Sequence, residues 1–283
     1  MTKKWAQGDI QANGIQIHYY RTGGDKPQVV LNHGALDDGL CWTRVAKALE
    51  ADYDLIMLDA RGHGSSDSGQ GDYTSQSRAA DLAGAIQALE LDRPVVGGHS
   101  LGADAALYMA AQYPELTRGV FLEDPPIIMA GQAIFGGNLA QVKDPLKFMQ
   151  IFMRIIRILP GFIGLPLARK MNSGYPDEEI VPWLKSKRRC SRDYLANISA
   201  SLDLSKGIPT ALLSRIEVPI LLIIGDRESG AIVSLEVAEQ IKAAAADVHI
   251  VHLAGASHDI RRVRFDGYQA ALRSFLDKIH FSG

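Results

Sequence analysis

Hydrophobic and polar positions follow two different periods along this chain, and the changes of period divide it into elements. GDIQANGIQIHYY (8–20) reads as two alternating runs about Asn13-Gly14, a hairpin signal because both residues tolerate the positive φ of a tight turn. PQVVLNHG (27–34), YDLIMLDARGHG (53–64), PVVGGHS (94–100), TRGVFLED (117–124) and VPILLIIGD (218–226) are short apolar runs, as expected of strands buried on both faces. Between them, LCWTRVAKALE (40–50), SQSRAADLAGAIQALE (75–90) and SLEVAEQIKAAA (234–245) carry apolar residues at helical spacing. A further strand, DVHIVHLAG (247–255), precedes a last helix ending near His280. Strands alternating with helices predict an α/β fold, a mostly parallel sheet with helices on both faces.

The alternation breaks between Pro125 and about Leu213. This stretch is too long for a plain loop and has its own helical period, which predicts an inserted helical cap. The expected division is a core of 1–124 and 211–283 with a cap of 125–210. Within it, LKFMQIFMRIIRILPGFIGLPLARKM (146–171) is unusually apolar for a surface insertion. It is expected mainly to pack on the core and also to line an apolar substrate chamber, with Gly161, Gly164 and Gly174 as candidate hinges. KSKRR (185–189) reads as a solvated helix face.

The 283 residues, 47% hydrophobic and 22% charged, suit a globular protein able to bury a large core. A net charge of −2 gives no reason to propose nucleic acid or an anionic membrane surface as partner. Cys41 and Cys190 form no disulfide framework and lack metal-ligand spacing, which points to a reducing compartment. MTKKWAQGDIQANG contains no apolar signal region and no run reaches membrane-spanning length, so a cytoplasmic location without a membrane span is expected.

Chemistry concentrates first in VVGGHSLGADAAL (95–107). Gly98-His99-Ser100-Leu101-Gly102 fits G-x-S-x-G where a buried strand turns into an Ala-rich helix. Such a turn forces the serine into strained dihedrals, exposes its Oγ and sets it near a helix N-terminus that favours negative charge. A serine is a poor nucleophile at neutral pH without a base, so the chain must supply one.

Three more segments occur in the order seen in one family. NHGALDDGLCW (32–42) looks like an oxyanion loop, DARGHGSSD (59–67) like the loop that packs beside the nucleophile, and GASHDI (255–260) like the late loop carrying the base. With GHSLG, these make the chain resemble the α/β-hydrolase family over nearly its whole length. The resemblance implies a nucleophile Ser100, a base His258 and oxyanion donors in the backbone N–H groups of Ala35 and Leu101. The remaining histidines have other readings: His249 and His252 as strand residues, His33 and His63 as loop-shaping groups, and His99 as a residue pointing away from the nucleophile.

The acid is where the chain departs from the family pattern. After the seventh strand, GDRESGAIVS (225–234) puts Glu228 in the acid's place counting from Gly225, but Gly230, without a carboxylate, counting back from Val233-Ser234. Asp226 reads as the common second polar residue of this loop. At the end of the sixth strand, Asp124-Pro125 resembles the location used by some lipases. Asp124 is preferred, with Glu228 the alternative and Asp226 third.

The activity expected is hydrolysis of a carboxylic ester or lactone with a hydrophobic moiety, through an acyl-enzyme. Carbon–carbon bond hydrolysis and cofactor-free perhydrolysis use the same triad and stay open, and a small-molecule receptor of the same fold ranks below them. No metal or organic cofactor is signalled, since HExxH, CxxC and nucleotide-binding glycine fingerprints are lacking. The expected partners are a small-molecule ester or lactone and, at most, a second copy of the chain, as monomer or homodimer.

Overall fold

The computed structural model describes residues 5–128, 145–201 and 209–281. Eight strands form one sheet: β1 (Ala6–Ala12), β2 (Ile15–Arg21), β3 (Gln28–Asn32), β4 (Asp54–Leu58), β5 (Val95–His99), β6 (Gly119–Glu123), β7 (Ile220–Ile224) and β8 (Val248–His252). Their spatial order is β1-β2-β4-β3-β5-β6-β7-β8. β1 and β2 pair as a hairpin, with Asn13 and Gly14 both at positive φ. β2 meets β4 antiparallel, and every later pairing is parallel.

The apolar runs are buried on both faces because alternate side chains enter separate cores. Val30, Ile56, Val96, Val120, Ile220 and Leu222 meet helices α2 (Ser75–Ala88), α3 (Leu101–Gln112) and α9 (Leu235–Ala244) on one side. Val29, Leu31, Leu55, Val95, Phe121, Leu221 and Ile223 meet α1 (Thr43–Leu49) and the C-terminal α11 (Phe265–Phe281) on the other. Each such side chain taken fully out of water contributes about 1.5–3 kcal/mol.

The chain runs outward from β3 to β4, then crosses back to β5 on the opposite side of β3. The carboxyl ends of β3 and β5 therefore flank the switch point, where α/β sheets leave a crevice. His33-Gly34-Ala35 follows β3 and Ser100 follows β5.

Helices α4 (Pro145–Ile158), α5 (Gly161–Met171), α6 (Asp177–Arg189) and α7 (Arg192–Asn197) interpose between β6 and β7. Met153, Ile156, Ala168, Ile180, Trp183 and Leu195 from these helices share a third cluster with Leu36, Tyr73 and Leu101 of the core. The short α8 (Thr210–Leu213) joins the main core through Leu213. Residues 129–144 and 202–208 of the expected cap, and the first four of the N-terminal segment, lie outside the described residues. A last short helix, α10 (Ile260–Val263), follows the β8 loop.

KSKRR is not a solvated face. Lys187 and Ser186 are buried, Arg189 is half-buried, and only Lys185 is exposed. Ser186, Lys187 and Arg189 meet acids from loops more than a hundred residues earlier, and Arg188 donates to the Leu159 carbonyl, which a local reading of charge cannot see.

Candidate active site

The strand-to-helix turn at residue 100 is shaped by backbone crowding. A Cβ on Gly98 or on Gly102 would lie 2.3 Å from the Asn32 carbonyl oxygen, so both positions flanking the elbow require glycine. Ser100 is held at φ 53°, ψ −119°, in the sparsely populated positive-φ region, while its N–H donates to the Glu123 carbonyl at 2.9 Å. Leu101 opens α3, so its N–H belongs to the first turn, which lacks intrahelical acceptors. The Ala35 N–H also finds no acceptor among the described residues.

Two histidines shape the loop that carries Ala35. His33 bonds the Gly34 carbonyl through Nδ1 at 2.8 Å and accepts the Ala60 N–H on Nε2 at 2.9 Å. His63 bonds the Arg61 carbonyl through Nδ1 at 2.9 Å and accepts the Leu36 N–H at 3.2 Å. These partners require Nδ1–H on both rings. Burial lowers both pKa values, His63 to about 3, so the rings are neutral at ordinary pH. By taking the Leu36 N–H, His63 leaves the Ala35 N–H as the next free donor of that loop.

Asp124 follows β6 at φ 42° and is fully buried. Its Oδ2 lies 2.6 Å from His258 Nδ1 and accepts the Ile232 N–H at 2.8 Å, while Oδ1 accepts the Val233 N–H at 2.9 Å. The other candidate acids lie elsewhere. Glu228 is exposed on a 3-10 turn (Arg227–Ser229) with no bond to His258, and Asp226 bonds His252 Nε2 at 2.6 Å and the Gly255 N–H at 2.6 Å. Asp226 thus fixes the start of the loop that presents His258 without reaching its ring.

A carboxylate on Nδ1 leaves Nε2 of His258 as a proton acceptor. Burial works against charge on this ring, but the Asp124 bond and charge, with Asp259 and Glu123, outweigh it and raise the pKa above the usual 6.5. His99 is held against the loop that carries His258. Its Nε2 lies 3.0 Å from the His258 carbonyl and its ring packs 4.4 Å from the His258 ring, tying the His258 loop to the residue before the serine. Burial and the neighbouring His258 hold His99 well below its ordinary pKa.

A buried ionic lattice lies beside this group, and local sequence patterns carried no sign of it. Asp37 is two residues beyond Ala35. Its Oδ1 accepts from Lys187 of α6 at 2.7 Å, and its Oδ2 pairs with Arg262 at 3.0 Å and Arg261 at 3.4 Å. Arg261 also binds Glu123 at 3.2 Å, and Arg262 binds Glu179 at 2.8 Å and Asp259 at 2.7 Å. Burial opposes the charge on Asp37, yet Arg262, Lys187 and Arg261 keep its carboxyl well below the usual range. Asp37, His99 and Asp259 have ligand atoms within 4.8 Å of one another, a spacing that could hold a cation. Lys187, Arg261 and Arg262 already supply the positive charge there, so the group is better suited to ion pairing. Cys41 lies buried at the lattice edge, 3.3 Å from Arg261, where burial pushes its thiol pKa up. It is placed as a bystander.

A second tether joins Arg189 of α6 to Asp38 at 3.0 Å, Asp59 at 3.4 Å and Ser65 at 2.8 Å. Within the core, Arg61 clasps Asp81 through two bonds of 2.6 and 2.7 Å. None of the described helices is long and apolar enough to cross a membrane.

Among solved structures, the N-formylmaleamic acid deformylase of Pseudomonas putida S16 superposes with a TM-score of 0.80 at 21% identity, over 94% of this chain and 100% of that one. N-formylmaleamate deformylase of Pseudomonas putida is 29% identical over 273 residues, 96% of this chain and 97% of the relative. The 2-(acetamidomethylene)succinate hydrolase of Mesorhizobium japonicum is 24% identical over 269 residues, 91% and 90% of the two chains. The model of the alpha/beta hydrolase family matches residues 29–266. With the sheet order, the elbow and this match together, the chain belongs to the alpha/beta hydrolase family.

Proposed function

We propose that this protein is a serine hydrolase that transfers an acyl group to water, with Ser100 as nucleophile, His258 as base and Asp124 as the acid that orients it. The observation that carries the reading is the 2.6 Å bond between Asp124 and His258 Nδ1, at the carboxyl end of the sheet where Ser100 is held at positive φ. In the first half-reaction, His258 Nε2 takes the Ser100 proton as Oγ attacks the carbonyl carbon. The oxyanion accepts from the Ala35 and Leu101 N–H groups, and His258 returns the proton to the leaving group. In the second, water loses a proton to His258 and attacks the acyl-enzyme, and His258 returns that proton to Ser100 Oγ as the acid leaves.

The substrate class proposed is a carboxylic ester or lactone with an apolar portion. Its support is the apolar cluster in which α4–α7 meet Leu36 and Leu101, beside both oxyanion donors. In this reading residues 125–210 act as a cap over the site. The names of two long relatives favour a second leaving group, nitrogen bearing a formyl or acetyl unit. The same steps serve both, because His258 can protonate a departing nitrogen as well as an alkoxide.

The test is turnover of p-nitrophenyl esters of rising chain length and of N-formyl and N-acetyl enamides, for wild type, Ser100→Ala, Asp124→Asn and Glu228→Gln. The reading expects loss with the first two variants and wild-type rates with the third. Retained turnover in Ser100→Ala would overturn it. Organophosphonate labelling of Ser100 without turnover of any acyl substrate would leave a reactive serine and remove the proposed substrate classes.

A further inference from the structure

The outward faces of α4 and the start of α5 expose apolar side chains, with exposed arginines beside them. Ile151, Ile155 and Ile158 follow one another at helical spacing, and Phe162 and Ile163 continue the ridge. Ile158 and Phe162 are 82% and 80% exposed, and the other three are about half exposed. From Pro145 to Pro176 the sequence holds five basic residues, Lys147, Arg154, Arg157, Arg169 and Lys170, and no acidic one, although Arg169 pairs with Asp177 just beyond at 3.0 Å. The net charge of −2 for the whole chain conceals this local excess.

Beside the ridge lies a groove of about 340 Å³, lined by Arg154, Arg157 and Arg192 with Gln150, Ile158 and Leu195. Arg157 is turned inward to the Cys190 carbonyl. Arg154 and Arg192 are exposed and have no carboxylate partner among the described residues. Guanidinium groups in this setting suit phosphate oxygens.

We infer that the α4–α5 face docks on the surface of an anionic phospholipid bilayer, with the Ile/Phe ridge in the acyl boundary and Arg154 and Arg192 at headgroup phosphates. Exposed apolar side chains flanked by cations are the signature of a helix lying in the membrane interface, as distinct from one crossing it. Charge selects this occupant: a folded partner protein would need an unusually acidic, apolar patch, whereas an anionic bilayer presents both properties everywhere. The inference is independent of the hydrolase reading, since docking requires no turnover.

The experiment is co-sedimentation of the full chain with vesicles of phosphatidylcholine alone or mixed with phosphatidylglycerol, at low and raised salt. Binding is expected only to the mixed vesicles and to weaken with salt. Ile155→Ser/Phe162→Ser should reduce it roughly 100-fold. Arg154→Gln/Arg192→Gln should reduce it on the order of 20-fold. Ser100→Ala should bind like wild type, separating this result from any failure of the hydrolase reading. All substituted positions but Ser100 are exposed, and a thermal melt checks each variant; if one pair fails to fold, the other decides. Absence of wild-type binding to anionic vesicles overturns the inference. So does a wild-type dimer in light scattering that Ile155→Ser/Phe162→Ser converts to monomer, because the ridge then belongs to a second copy.

Discussion

Asp37 and Lys187 are 150 positions apart in the chain and 2.7 Å apart in space, both buried. The same carboxylate meets Arg261 and Arg262, three and four residues beyond His258. One acid therefore links the Ala35 loop, the His258 loop and helix α6. Neutralising it leaves three buried cations with less counter-charge. Asp37→Asn is expected to lower unfolding free energy by about 3–5 kcal/mol, measured by urea denaturation. Lys187→Met should cost less, because Asp37 keeps its two arginines. Equal effects would mean that the lattice does not centre on Asp37.

Asp124→Asn is expected to reduce kcat on the order of 10⁴-fold by spoiling the histidine tautomer. The variant should also lose about 1–3 kcal/mol of stability. Both Asp124 oxygens accept backbone N–H groups, from Ile232 and Val233, and an amide NH₂ must face one of them. Steady-state kinetics and a thermal melt on the same preparation read both effects. Glu228→Gln, at an exposed position, should change neither.

The raised pKa of His258 fixes the direction of the pH dependence. In the proposed mechanism only the neutral ring accepts the Ser100 proton, so kcat/KM is expected to fall as pH drops through a value above 6.5. The linkage to stability runs the opposite way. The protonated ring stabilises the fold fully below the unfolded-state pKa, and that contribution is lost as pH rises through the folded pKa. A pH–rate profile paired with an imidazole NMR titration checks this, and an acid limb below 6.5 would contradict it.

Ser100 sits in a backbone region that costs about 1–3 kcal/mol for a residue with a side chain. Ser100→Gly should therefore abolish turnover and raise the melting temperature, while Ser100→Ala abolishes turnover without that gain. By contrast, Gly102→Ala should be severely destabilising, since its Cβ would lie 2.3 Å from the Asn32 carbonyl oxygen. Calorimetry of the three variants separates strain from crowding.

Much of this architecture was legible because it is written in local patterns. Apolar runs buried on both faces, the Asn13-Gly14 turn and the small residues around Ser100 each follow from short-range sterics and period. The lattice was not legible, because Asp37, Lys187, Glu179 and Arg262 meet only through tertiary structure and each looks like an ordinary surface charge in its own segment. The choice among acids was ambiguous for a related reason. Asp124 and Glu228 sit in loops at the ends of neighbouring strands, and only the fold decides which one faces the ring on the β8 loop. KSKRR misled because a charge run reports composition, whereas burial depends on what packs over it.

The joining of Asp124 to His258 across 134 positions also bears on how the molecule comes into being. The groups proposed for catalysis run from Ala35 to His258, and the lattice that braces them closes only with Arg261 and Arg262. A nascent chain on the ribosome can form the hairpin, the elbow and α3 while it still lacks the proposed base. At roughly 5–20 residues per second, Ser100 emerges about 8–30 seconds before His258 can reach it. The growing chain should carry an unactivated alcohol until the His258 loop has emerged, so reactivity arrives together with the closing of the lattice.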